Sequence, residues 1–137
     1  MNRILAVLAV CGGMLFTAIP IAAHHSFEAE YDRTQKVTLK GKVTKIEWQN
    51  PHTLFYLDIT NDATKKVTNW AFEMGSPNGL MRNGWTRNTL KIGDSVTVEG
   101  SQAKDGTNVG NARAVTMVAT GKRLFAASSQ TEPPQQH

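Results

Sequence analysis

Apolar and polar residues alternate from Val37 to Trp48, with Val37, Leu39, Gly41 and Val43 on one face and Thr38, Lys40, Lys42 and Thr44 on the other. That period of two predicts a half-buried strand. After Lys45 the phase slips by one residue, because Ile46 and Trp48 now take the apolar positions, and such a slip predicts a bulge or sharp bend. Asn50-Pro51 interrupts pairing, since proline has no N–H to donate, and Thr53 to Thr60 resumes the alternation as a second strand. Val67 to Met74 forms a third, whose face of Thr68, Trp70, Phe72 and Met74 is expected to pack inward. Ser76-Pro77 is a cap followed by a first-turn proline, Gly84 is a terminator, and a short helix is predicted over Pro77 to Asn83.

A fourth strand is predicted over Ser95 to Ser101 and, beyond the Asp105-Gly106 turn, a fifth over Ala112 to Val118. Lys122 to Phe125 reads as a short edge strand or a cover for the core, and Ala126 to His137 as a disordered tail rich in Ser, Gln and Pro. Five strands with a long, bent first strand and a helix between the third and fourth predict a mainly β protein of the OB type, a small five-stranded barrel. A β-sandwich is the alternative.

The start of the chain follows another plan. Arg3 precedes an uncharged apolar run from Ile4 to Phe16, and Pro20-Ile21-Ala22-Ala23 is a small-residue exit. Residues 1–23 therefore read as a signal peptide, with a single β-barrel domain over 24–125 and the tail over 126–137. The expected location is the periplasm or the medium, with no membrane span after cleavage. A lipid-attachment reading of Cys11 is disfavoured by the bulky Val10 before it.

Cleavage changes the available chemistry. It removes the single cysteine, leaving neither a disulfide framework nor a thiolate metal site. Loss of Arg3 leaves 14 basic side chains against 11 acidic ones, scattered along the sequence, and outside the cytoplasm this mild surplus does not point to nucleic acid. Elbow-serine, zincin and phosphate-loop motifs are all missing, so no catalytic residue is assigned and the protein is expected not to be an enzyme. Glu47 and Glu73 are conceivable as an acid pair, but nothing in their spacing favours it over surface placement.

Cleavage after Ala23 also frees an α-amine at His24-His25, placing three neutral nitrogen donors within two residues. Such donors suit copper, zinc or nickel ions. His52, in Trp48-Gln49-Asn50-Pro51-His52, is the one other histidine of the folded region, so His24, His25 and His52 are the expected metal ligands and copper the expected cofactor. The competing reading makes His52 a turn residue bonded to backbone. An interaction module without metal is the alternative function, with Trp48, Asn50 and Trp85 facing a partner protein or small ligand. A histidine-brace copper oxidase stands third.

His24-His25-Ser26-Phe27, Trp48-Gln49-Asn50-Pro51-His52, Asn69-Trp70-Ala71-Phe72-Glu73 and Gly75-Ser76-Pro77-Asn78 together resemble the exported bacterial proteins grouped as domain of unknown function 6152. Gly84-Trp85-Thr86-Arg87, Asn111-Ala112-Arg113 and Leu124-Phe125 extend the likeness over most of the mature chain. The resemblance implies one small exported β domain from a Gram-negative bacterium and supplies no catalytic residues.

Overall fold

A computed structural model of the chain describes residues 27–127. The expected leader, His24, His25 and residues 128–137 of the tail lie outside the described residues. One helical turn, α1, spans residues 27–30. Then come β1 (Tyr31–Glu47), β2 (Leu54–Thr60), β3 (Val67–Glu73), α2 (Pro77–Arg82), β4 (Ser95–Ala103), β5 (Val109–Met117) and β6 (Arg123–Phe125).

The strands hydrogen-bond in the order β3-β2-β1-β4-β5-β6, and a parallel pairing of β3 with β5 closes five of them into a ring. This closure, with the helix between β3 and β4, makes the protein a small OB-type barrel, and it covers the edge of β3 while β6 stays outside the ring, paired with β5. Inward positions fill the interior: Val43, Phe55, Leu57, Phe72, Val96, Val98 and Val115 are all at most 1 % exposed. Phe72 stacks between Phe55 and Trp70, with ring centroids 5.6 and 5.8 Å away.

The bend in β1 lies where the phase slip placed it, as a register shift between Val43 and Lys45 against β2. The α2 start is equally local: the Ser76 hydroxyl accepts from Gly79 N at 3.2 Å and Pro77 occupies the first turn. Gly84 follows at φ 88°, a left-handed position that suits glycine.

The largest departures from the expected boundaries are in β5, β1 and the tail. β5 begins at Val109 rather than Ala112, because Val109 to Asn111 pair with β3. β1 begins at Tyr31 rather than Val37, because its polar first half pairs with β4 as far as Ala103 across an irregular stretch. Ala126 and Ala127, assigned to the tail by composition, are buried at 0 and 6 % exposure. Ala126 donates to Arg113 O at 2.8 Å and accepts from Gly75 N at 2.9 Å, so backbone bonding carries the fold past Phe125.

Candidate functional site

Where β3 meets β5, the parallel pairing sets Glu73 opposite Asn111. The extra length of β1 brings Tyr31 to the same point. The Tyr31 hydroxyl donates to Glu73 Oε2 at 3.4 Å and Asn111 Nδ2 donates to Oε1 at 3.5 Å. His52 approaches from the segment before β2, which is held in line by Thr53 N donating to Gly75 O and Met74 N donating to Thr53 O. Its Nδ1 is 3.6 Å from Glu73 Oε1 and 3.2 Å from the Met74 carbonyl oxygen.

A carbonyl oxygen only accepts, so the bond to Met74 calls for a proton on Nδ1, and in the neutral ring of that tautomer Nε2 carries the lone pair. Backbone anchoring is thus what one ring nitrogen does, and it prepares the other as a ligand, the arrangement usual for metal-binding histidines. The His52 side chain is 26 % exposed and that of Glu73 21 %.

The contacts around Glu73 are all long, so none offsets the loss of water strongly. Burial accordingly raises the Glu73 pKa above the ordinary carboxylate range; the Glu30 charge pushes the same way, while His52, Tyr31 and Asn111 oppose it. The Tyr31 phenol is likewise driven upward, first by burial and then by the Glu73 and Glu30 charges. Phe27 packs on Tyr31 with centroids 5.4 Å apart, tying α1 to this cluster. Tyr31, Glu73 and Asn111 were not singled out as ligands from the sequence, and their separations of 42 and 38 positions leave no local signal.

Trp48 and Trp85 of the expected aromatic face meet at one crevice, but Trp85 offers almost no surface there. Trp85 is 2 % exposed and its indole N–H donates to Phe125 O at 2.7 Å, so the ring is core and has no face for a partner. Trp48 is half-buried, Asn50 is exposed, and Trp48 shares only a shallow crevice with Ile46, Met74, Trp85, Thr86, Arg87 and Leu90. Glu47 does not pair with Glu73: it binds Lys45 at 2.5 Å and accepts from Tyr56 at 3.2 Å. Trp70 and Phe72 are core, as their inward face predicted.

Among the described residues no three His, Cys, Asp or Glu side chains gather as a metal would require, and no helix is long and apolar enough to cross a membrane. Fold and cluster define a small closed β-barrel with an imidazole and a largely buried carboxylate beside its N-terminal turn. The profile of the Family of unknown function (DUF6152) matches residues 13–112, and the chain belongs to that family. No curated protein matches it.

Proposed function

We propose that this chain is an exported, non-enzymatic binding protein that holds a copper-like ion between His52 and its mature N-terminal histidines, with Glu73 as an oxygen donor. The observation that carries the reading is the setting of His52, whose Nδ1 faces Met74 O with Glu73 Oε1 3.6 Å away on the same side, so that Nε2 is left as the ring's second donor. The barrel supplies only these two ligands, so further donors must come from elsewhere in the chain.

His24 and His25 are suitably tethered. Phe27 is packed on Tyr31, which itself touches Glu73, and three Cα steps of 3.8 Å allow His24 to lie anywhere within about 11 Å of Phe27. Three imidazoles, a freed amine and a carboxylate form a donor set suited to Cu(II). The metal-free module reading is weaker with Trp85 in the core, since it retains only Trp48 and Asn50.

The test is calorimetric titration with Cu(II) of protein beginning at His24, compared with protein carrying an extra N-terminal Met. Masking the amine is expected to weaken binding at least tenfold, as is His52→Ala. Equal affinity for native and masked ends contradicts the reading. Oxygen consumption by the copper-loaded protein with reductant would make it an oxidase instead.

A further inference from the structure

A second concavity, of about 400 Å³, lies across the outer side of β1, β4 and β5, and its chemistry differs from that of the His52 cluster. Arg33, Lys36, Arg113 and Arg123 line it, with Glu99 as the carboxylate among them and Phe27 and Val37 as apolar wall. Arg123 binds Glu99 at 2.8 Å, and Arg33 lies 3.7 Å from Glu28 and 5.0 Å from the Phe27 ring centroid. Even with Glu28 counted, four cations face two carboxylates. The formal charge of the whole chain is only +4, so half of its surplus is gathered at one cleft.

The concentration arises from the fold. β4 and β5 pair Glu99 with Ala114 but Gly100 with Ala112, so Arg113 is the extra residue of a bulge, a device that re-aims a side chain. The carbonyl of Arg113 is anchored by Ala126 N at 2.8 Å. Pairing of Lys36 with Ser101 and of Thr38 with Glu99 sets the remaining polar groups alongside.

We propose that this cleft binds a small organic polyanion, a di- or tricarboxylate or a phosphate ester, whose charged groups meet the guanidinium forks while its carbon skeleton rests on Phe27 and Val37. Planar guanidinium groups pair with carboxylate or phosphate oxygens through two parallel bonds, which favours Arg-rich sites for such oxyanions. The volume lies within the range of small-molecule pockets.

Calorimetric titration of the purified chain at low ionic strength with citrate, pyrophosphate and acetate tests this, the first two arms separating carboxylate from phosphate ligands. Citrate or pyrophosphate is expected to bind at submillimolar concentration, acetate at least tenfold more weakly, and the affinity should fall as salt is added. The double variant Lys36→Gln, Arg113→Gln alters two exposed side chains, and is expected to lose at least tenfold with an unchanged circular dichroism spectrum; Lys91→Gln, outside the cleft, should lose less than twofold. If the double variant misfolds, Arg123→Gln with the same expected loss serves in its place. Absence of binding by either polyanion, equal losses in Lys91→Gln, or binding only to phosphatidylglycerol vesicles overturns the proposal.

Discussion

Gly100 is where the barrel tolerates least. A Cβ built there lies 2.1 Å from the Asn111 carbonyl oxygen, 3.0 Å from its carbon and 3.2 Å from Ala112 Cα, all backbone atoms that no side-chain rotation can clear. Gly100→Ala therefore has to part β4 from β5 by about 1 Å at the bulge, which takes backbone bonds of ordinary length near 2.9 Å beyond the bonding range. Loss of two or three such bonds, at about 1 kcal/mol each, together with the disturbed packing gives a cost of about 2–4 kcal/mol. For a domain of this size that lowers the thermal midpoint by roughly 10–20 °C. Thermal and urea unfolding followed by circular dichroism read the change, with Gly79→Ala as comparison. At Gly79 the new Cβ meets only the Ser76 hydroxyl at 3.3 Å, and the shift should stay within about 1 kcal/mol. A Gly100→Ala protein within 1 kcal/mol of its parent refutes the close approach of β4 and β5, and with it the bulge that aims Arg113.

Thr53 is fully buried and its hydroxyl has no hydrogen-bond partner among the described residues. Thr53→Val keeps the shape and removes the stranded group, so urea unfolding should show a gain of about 1 kcal/mol, and a loss of that size would mean that the hydroxyl is bonded in solution. Trp85→Phe deletes the donor to Phe125 O and leaves a partial void, for an expected loss of about 2–3 kcal/mol in the same assay; a neutral result would place the indole outside the core. Glu73 has a raised pKa in the fold, so the folded chain holds the proton more tightly than the unfolded one, and stability falls as pH rises from the ordinary carboxylate range through the folded value. Metal-free Glu73→Gln should therefore unfold at a higher temperature than its parent at pH 7, with the difference shrinking toward pH 4; a difference independent of pH would show that burial of the charge is not what raises the pKa.

Alternation, caps and turn residues are local, and for that reason β2, β3, α2 and the bend after Val43 were legible along the chain. The first half of β1 was not, because Asp32 to Lys36 is polar throughout and becomes a strand only through its neighbour β4. Trp85 illustrates a different limit: a Trp among polar residues reads equally well as a ligand platform or as core, and the carbonyl that satisfies its indole lies 40 positions away. Similarly, Glu73 gains its character from Tyr31 and Asn111, which only barrel closure brings together. His52 was visible as a candidate because histidine is scarce here, but the tautomer that frees Nε2 depends on Met74, 22 residues on. The four cations of the cleft looked like a dispersed basic surface for the same reason.

The proposed copper site requires that His52 Nε2 and the freed N-terminus share one ion. Electron paramagnetic resonance of protein beginning at His24, loaded with one equivalent of Cu(II), addresses this directly through the nitrogen hyperfine pattern. The expected result is a single species with several nitrogen donors, which loses one nitrogen in His52→Ala and changes again when an N-terminal Met masks the amine. A spectrum identical in the native-end protein and His52→Ala would contradict the shared site.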